Sequence, residues 1–173
     1  MTSDEALMLE FQRGSREAFE ELFARYREPL YGFFRRRLES NARAEDLTQE
    51  TFLAVIRATA RYQPRSLVRT YLYAIALKLL AAERRKQIRD PLPMPPESAA
   101  APGRADQALW VRQAIQRLEP VKREILMLRE FEQLSYAEIA DLQRIPVNTV
   151  RSRLFRSRLA LKNYLEPVEE ARS

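Results

Sequence analysis

The sequence contains no cysteine and no histidine. Without cysteine the chain has no disulfides, no thiolate zinc sites and no cysteine nucleophile. Without histidine it lacks the commonest general base and the commonest metal ligand. These two absences argue against a conventional hydrolase or metalloprotein, so we expect no enzymatic activity, no metal and no other cofactor.

Glycine and long apolar runs are scarce as well. The 173 residues include only 3 Gly, and no stretch alternates in the manner of a strand, which favours an all-α fold. The longest apolar run, residues 71–82, is interrupted by Lys78 and is shorter than the ~20 residues of a membrane span. The N-terminal MTSDEALMLEF lacks the basic and apolar segments of a signal peptide. We therefore expect a cytoplasmic protein without membrane insertion.

Acidic residues are missing from two long stretches of a chain whose formal net charge is +6. Residues 51–82 and residues 142–165 contain no Asp or Glu, and the second stretch carries five arginines from Arg144 to Arg158. Surface helices usually interleave charges of both signs. The unpaired positive charge favours a polyanionic partner such as nucleic acid.

A proline-rich segment divides the chain. Residues 90–104, DPLPMPPESAAAPGR, hold five of the ten prolines, and proline opposes helix at its own position and at the preceding one. We expect an extended linker here. It separates an N-terminal helical domain (1–89) from a C-terminal one (105–166), which a short tail (167–173) follows.

Apolar residues of the N-terminal domain recur at steps of three and four, which predicts amphipathic helices. A short helix starts near Ser3, and a break at Gly14 and Ser15 precedes a long helix in which Pro29 predicts a kink or restart. Further helices are expected at 42–60 and 67–89, on either side of a loop at 61–66. The predicted core comprises Phe19, Leu22, Phe23, Tyr26, Leu30, Phe33, Phe34, Leu38, Leu47, Phe52, Val55, Ile56, Leu72, Ile75, Ala76, Leu79 and Leu80.

The C-terminal domain ends in a helix-turn-helix pattern. Two helices come first, one ending before Pro120, with apolar positions Leu109, Val111, Ile115, Leu118, Val121, Ile125, Leu126 and Leu128. Ser135 and Glu138 form a capping box for a short helix over 136–143, with Ile139 and Leu142 inward. A turn over 144–147 follows, in which Ile145 is the apolar residue that faces the core. Asn148 or Thr149 then caps a longer helix that reaches about residue 164.

The last helix separates its apolar and basic residues. At 3.6 residues per turn, one face carries Val147, Val150, Leu154, Leu161 and Leu165. The outward surface carries donors for phosphates and base edges: Thr149, Arg151, Ser152, Arg153, Phe155 and Arg156. A solvated basic face without a ligand is the simpler explanation of a charge run. The capping box, the turn and the missing acids together favour DNA binding.

Basic and aromatic residues are interleaved in the N-terminal stretch that lacks acid. Cations suit a nucleic-acid backbone and aromatic rings can stack on unpaired bases, so the region favours single-stranded or melted nucleic acid. Tyr73 and Leu72 suit the core instead.

An acidic motif comes just before this acid-free stretch. RAEDLTQETFL (43–53) places Glu45, Asp46, Gln49 and Glu50 on and beside one helical face. This is either an acidic first turn that complements the helix dipole or a surface that docks on a basic protein partner.

These motifs together resemble one known family. RAEDLTQETFLAVIRATARY, SLVRTYLYAIALKLL, a proline-rich linker and LSYAEIADLQRIPVNTVRSRLFRSRLALK resemble the extracytoplasmic function (ECF) sigma factors of bacterial RNA polymerase, in order and spacing. The resemblance implies a two-domain initiation factor that binds core RNA polymerase and promoter DNA, and that is a monomer when free. It also implies an anti-sigma factor as a further partner.

The resemblance assigns roles to particular residues. The N-terminal domain would dock on the clamp coiled coil of the largest polymerase subunit through Asp46, Gln49, Glu50 and Phe52. It would melt and read the −10 element through Arg61, Arg65, Ser66, Arg69, Tyr71, Lys78, Arg84 and Arg85. The C-terminal domain would read the −35 duplex through Thr149, Arg151, Ser152, Arg153, Phe155 and Arg156, and pack on the β flap tip.

The chain departs from the usual pattern of the family at four positions. Tyr71 stands where the family often has Trp, and Lys78 stands where it often has Asn, so the −10 base preference is expected to differ. Arg144 and Asn148 stand where Gly is common, and an arginine at a left-handed helix end carries modest strain.

Two other functions compete with this interpretation. A stand-alone helix-turn-helix regulator would explain residues 134–162 but not the acidic 43–53 surface or the aromatic and basic region. A nucleic-acid enzyme would need clustered carboxylates or a nucleophile with its base. The acids here are scattered or confined to 43–53, which disfavours such an enzyme.

Overall fold

Helices and short connections make up all of the protein that the structure describes. The computed structural model describes residues 1–90 and 105–166, and no β-strand occurs within these two ranges. The expected all-α fold is confirmed. The predicted linker, apart from Asp90, and the tail at 167–173 lie outside the described residues. The chain divides into two compact units, Met1–Pro96 and Glu97–Ser173, called here the N-terminal and C-terminal units.

Residues 1–90 of the N-terminal unit form four α-helices: α1 (Asp4–Gln12), α2 (Arg16–Arg37), α3 (Asn41–Ala58) and α4 (Val68–Arg89). A 3-10 turn over Thr59–Arg61 follows α3. Ser3, Ser15 and Ser40 cap the first three helices, each accepting the backbone N–H three residues later at 3.1–3.2 Å. Gly14, with φ of 104°, makes the break between α1 and α2 that the sequence predicts.

The core of this unit is built from the spaced apolar residues, except that two of the predicted set are exposed. Ile56 is 45% exposed and Phe23 is 36% exposed, so both belong to the surface. The predicted restart at Pro29 is wrong, because α2 runs through it without interruption. Pro29 is exposed, so water can bond the backbone carbonyl that loses its usual partner.

The described part of the C-terminal unit, residues 105–166, forms four more helices: α5 (Ala105–Arg117), α6 (Pro120–Glu130), α7 (Tyr136–Gln143) and α8 (Val147–Leu165). Pro120 is the first residue of α6, where its missing N–H costs nothing. The predicted core is confirmed at Ile115, Leu118, Ile125, Leu126 and Leu128. Leu109, Val111, Val121 and Val147 are instead exposed, each in the first half of its helix.

Candidate nucleic-acid interface

Helices α7 and α8 with the turn between them form the predicted helix-turn-helix. Ser135 Oγ accepts the N–H of Glu138 at 3.1 Å, which starts α7 where the sequence predicts. Ile139 is fully buried, and Leu142 and Ile145 are half-buried beneath the turn. This packing fixes α8 against the rest of the C-terminal unit.

The turn contains a non-glycine residue in the left-handed region. Arg144 has φ 54° and ψ 49°, and the following N–H, of Ile145, donates to Ala140 O at 3.0 Å. The strain that the sequence predicts at Arg144 therefore exists, at a cost of about 1–2 kcal/mol for an L-residue. The predicted cap of α8 is wrong. Pro146 occupies the cap position, and Asn148 and Thr149 lie inside the first turn.

The outward surface of α8 presents the predicted DNA-reading residues. Arg151, Ser152, Phe155 and Arg156 are exposed and together line a shallow depression, with Phe155 69% exposed. Val150 and Leu154 on the other face are buried in the core. Thr149 and Arg153 are half-buried at the edges of this surface. The helix therefore holds its aromatic ring and its cations toward solvent on one side.

The arginines of α8 differ in their partners. Arg158 donates to Glu130 Oε1 at 2.9 Å and to the Tyr136 hydroxyl at 3.5 Å, and these bonds raise the pKa of its guanidinium. Within residues 1–90 and 105–166, no carboxylate pairs with Arg151, Arg153 or Arg156. One arginine of α8, Arg158, is thus paired with a carboxylate of the protein. The charges of the other three are available to an external partner.

A second candidate surface surrounds the connection between α3 and α4. A cavity of about 400 Å³ opens here, lined by Ala58, Arg61, Tyr62, Gln63, Arg65 and Tyr71. The rings of Tyr62 and Tyr71 meet edge to face with centroids 5.2 Å apart. Burial raises the pKa of both hydroxyls, so both remain protonated at neutral pH. The Tyr62 hydroxyl is buried without a hydrogen-bond partner among the described residues.

The structure brings together some of the residues predicted for single-stranded DNA and separates others. Arg61, Arg65 and Tyr71 share the cavity, and Ser66 and Arg69 lie nearby in sequence and are half-buried. Lys78, Arg84 and Arg85 are exposed farther along α4. At a rise of 1.5 Å per residue, Arg84 lies roughly 20 Å along the helix from Tyr71. Tyr73 and Leu72 are core residues, as predicted.

Sequence reasoning does not place Tyr62 at this surface as a site residue. Its ring is buried, yet it forms a wall of the cavity beside Tyr71. A tyrosine in a loop between two helices has no periodicity to reveal which way it points. The only available signal is its place between Arg61 and Arg65 in the acid-free stretch.

The four polar residues of the 43–53 motif lie on the surface of α3. Glu45, Asp46, Gln49 and Glu50 are exposed on this helix. Glu45 and Gln49 also line a groove of about 420 Å³ with Phe23, Arg27, Glu28, Tyr31 and Thr48. Phe52 is buried, with its ring 4.8 Å from that of Phe23. The ring of Phe52 thus packs against a residue that lines the groove, and the docking role that the resemblance assigns to Phe52 stays a prediction.

An ion-pair network anchors this acidic surface to α4. Arg43 Nε donates to Glu83 Oε1 at 2.9 Å, and Arg43 Nη1 donates to Asp46 at 3.0 Å. Glu83 is only 6% exposed. The hydrogen bond from Arg43 is the largest cause of a pKa for Glu83 below its ordinary value. Asp46 is thus held by Arg43, whereas Glu50 has no such partner in the part of the chain that the structure describes.

The described residues offer neither a metal site nor a membrane-spanning helix. No group of three or more acidic side chains in the described ranges is arranged to hold a metal ion. No helix within those ranges is both long enough and apolar enough to cross a membrane.

Comparison with known proteins gives matches over both units. The family described as Sigma-70 region 2 matches residues 22–89, and Sigma-70, region 4 matches residues 108–161. RNA polymerase sigma-H factor of Pseudomonas aeruginosa is 34% identical and covers 95% of each chain. The ECF RNA polymerase sigma-E factor of Escherichia coli K12 is 31% identical and covers 96% of each.

Among solved structures, the fold is similar to that of the sigma factor RpoE in its complex with the anti-sigma factor NepR from Bartonella quintana. The TM-score is 0.66 at 20% identity, over 85% of this chain and 96% of that one. The two regional matches include the motif at 43–53 and most of the helix-turn-helix at 135–165, and the relatives match along nearly the whole chain. The chain belongs to the extracytoplasmic function (ECF) sigma factors, the sigma-70 family proteins that direct bacterial RNA polymerase to promoters.

Proposed function

We propose that the two candidate nucleic-acid surfaces divide promoter recognition between the units. The outward surface of α8 reads the −35 element as duplex, and the cavity between α3 and α4 receives the −10 element as melted DNA. The observation that carries this assignment is that each unit exposes cations on a surface built from an acid-free stretch of sequence. Because the two surfaces belong to one chain, binding of one raises the effective concentration of the other at the same promoter, which increases the overall affinity.

The chemistry of α8 suits the major groove. Arg151 and Arg156 are exposed and without carboxylate partners among the described residues, so their donors are available to guanine edges or phosphates. Phe155, exposed between them in sequence, can contact a thymine methyl group. Thr149 and Arg153 at the edges of the surface are placed for the phosphate backbone, which fixes the register of the helix.

The chemistry of the cavity suits an unstacked base. Its volume of about 400 Å³ lies within the range of small-ligand sites, and two tyrosines form part of its wall. Aromatic rings stack on unpaired bases, while Arg61 and Arg65 at the rim attract the backbone phosphates. Lys78, Arg84 and Arg85 extend the positive charge along α4, where they would follow the DNA beyond the captured base.

Two further surfaces suit the core polymerase. Asp46, Gln49 and Glu50 would meet the clamp coiled coil of the largest subunit, and the neighbouring groove between α2 and α3 would accept its apolar side chains. In the C-terminal unit, an apolar groove of about 540 Å³ would accept the β flap tip. Its apolar lining consists of Val111, Ile115, Leu126, Phe131, Leu161 and Leu165.

The remaining assignments follow from the family. An anti-sigma factor would hold the protein inactive by covering the polymerase-binding surfaces, as partners that compete for one interface do. The protein would act in the cytoplasm, where transcription takes place, and would be a monomer when free. It would contribute binding and DNA melting while the polymerase carries out the chemistry, so it needs no catalytic residue or cofactor of its own.

The docking assignment predicts that Glu50→Lys weakens binding to core polymerase at least about tenfold. The substitution places a positive charge against a basic partner, and like charges at an interface cost several kcal/mol. Glu39→Lys, a charge reversal at another exposed position of the same unit, is the matched control and should bind as the wild type does. Titration of labelled protein with core polymerase gives the two dissociation constants. Equal affinities for both variants and the wild type would remove Glu50 from the docking surface.

A further inference from the structure

The first helix makes polar contacts with the loop that carries the proposed −10 cavity. Helix α1 lies outside residues 22–89, the part matched by the region 2 family. The side-chain amide nitrogen of Gln12 donates to Thr59 O and to Tyr62 O, each at 2.9 Å. One side chain thus holds two backbone carbonyls that flank Arg61, 47 and 50 residues away in sequence.

The other end of the loop is held by a second residue of the same helix. Glu5 Oε1 accepts the backbone N–H of Val68 at 3.0 Å. Helix α4 begins at Val68, and its cap residue, Leu67, has no side-chain acceptor for this purpose. Glu5 therefore caps α4 from a different helix, and its negative charge lies at the positive end of the α4 dipole.

Helix α1 is itself fixed to α2. Asp4 accepts hydrogen bonds from Arg25, at 2.7 Å, and from the Tyr26 hydroxyl. Arg25 also donates to the backbone oxygen of Thr2 at 2.8 Å. Met8 is fully buried and Leu7 nearly so. A helix anchored in this way can hold the loop in one position, whereas a frayed terminal helix could not.

We propose that Gln12 and Glu5 are positioning residues for −10 recognition. They fix both ends of the segment 59–68, so that Tyr62 and Tyr71 face each other and Arg61 and Arg65 border the cavity. A loop ordered before binding does not have to be ordered by the DNA, and its shape can discriminate between bases. This inference rests on the proposed role of the cavity, but it assigns the positioning to a helix that needs no contact with DNA.

The test compares variants of full-length protein in holoenzyme with core polymerase. Promoters carry each of the four bases at every −10 position, and melting is followed by 2-aminopurine fluorescence in the non-template strand. Gln12→Met keeps the length and apolar stem of the side chain and removes both donors. Glu5→Ala removes the acceptor, Glu5→Gln retains an acceptor oxygen, and Glu10→Ala alters an exposed residue of the same helix.

We expect Gln12→Met and Glu5→Ala to reduce the discrimination between −10 bases by about tenfold, since each leaves part-buried backbone groups without their partners. Affinity for core polymerase should be unchanged, because neither proposed docking surface includes a residue of α1. Glu5→Gln and Glu10→Ala should keep wild-type discrimination. Melting temperatures of each variant are measured alongside, so that a loss of folded protein is recognised.

Two results would overturn the inference and leave the cavity assignment standing. In the first, the wild-type holoenzyme discriminates between −10 bases and Gln12→Met and Glu5→Ala do so equally well. In the second, Gln12→Met and Glu5→Ala lose core affinity, thermal stability and discrimination in parallel, which is the behaviour of residues that only support the fold. A wild-type holoenzyme without any −10 base dependence would overturn the cavity assignment itself, and this inference with it.

Discussion

Replacing Arg156 with alanine should weaken holoenzyme binding to its promoter far more than replacing Arg158. Both substitutions remove one positive charge from α8, two residues apart. Arg156 is exposed on the surface with Phe155, whereas Arg158 is bonded to Glu130 and Tyr136. A lost arginine contact to a base costs roughly 1–3 kcal/mol, equivalent to roughly a fivefold to hundredfold loss of affinity. Arg158→Ala should change affinity by less than about twofold, apart from small long-range charge effects.

Promoter affinity is measured by fluorescence anisotropy with labelled duplex at several salt concentrations. If Arg156 contacts a base, its loss should relax the preference at one −35 position. If it contacts phosphate, the loss should be uniform across sequences and reduce the salt slope by about 1. Equal losses for Arg156→Ala and Arg158→Ala would mean that only the total charge of α8 matters, and the outward surface would no longer be a reading surface.

Replacing Arg43 with methionine should destabilise the N-terminal unit by about 3–5 kcal/mol, the usual cost of leaving one buried charge unpaired. Glu83 is buried between α3 and α4 and receives two hydrogen bonds from Arg43. The double variant Arg43→Met, Glu83→Leu should recover most of the loss, because it removes both charges. For a domain of this size the single change lowers Tm by more than about 10 °C.

The matched control for this pair is Arg16→Met, which removes the partner of Glu20 on the surface of α2. These two side chains are 3.4 Å apart and mostly exposed, so their pair contributes about 0–1 kcal/mol. Thermal unfolding followed by circular dichroism compares the variants. Similar losses for Arg43→Met and Arg16→Met would show that the buried pair does not stabilise the unit.

The buried pair also predicts how stability depends on pH. Arg43 holds the pKa of Glu83 below its ordinary value in the folded protein, so the unfolded state binds a proton first as pH falls. The stabilisation is therefore complete above the ordinary glutamate pKa and is lost as pH falls through it toward the folded value. The difference in stability between wild type and Arg43→Met should shrink over this acidic range.

The sequence alone predicts the local features of the fold well. Ser135 caps α7 as predicted, α1 begins next to Ser3, and the predicted break at Gly14 and Ser15 separates α1 from α2. The left-handed Arg144 is also predictable, since a helix-turn-helix needs such a residue after its first helix. Each of these features depends on residues within about one helical turn of each other.

Contacts between distant residues explain most of what the sequence does not predict. Gln12 reaches the loop across 47 to 50 residues, and Arg158 meets Glu130 across 28. Charge counts along one helix cannot distinguish Arg158 from Arg156, because the distinction depends on a partner in another helix. Phe52 and Ile56 are both apolar residues of α3, and only packing against Phe19 and Phe23 places the first inside and leaves the second exposed.

Transcription in vitro tests most directly whether this protein is an initiation factor. The purified protein is added to sigma-free core polymerase and a library of random promoters. Sequencing of the transcripts locates every start site. We expect starts at fixed distances from two shared elements, with the −35 motif altered by Arg156→Ala and all starts reduced by Glu50→Lys. Transcription no higher than that of core polymerase alone, from a protein that does not co-elute with the polymerase, would contradict the assignment of this chain as an initiation factor.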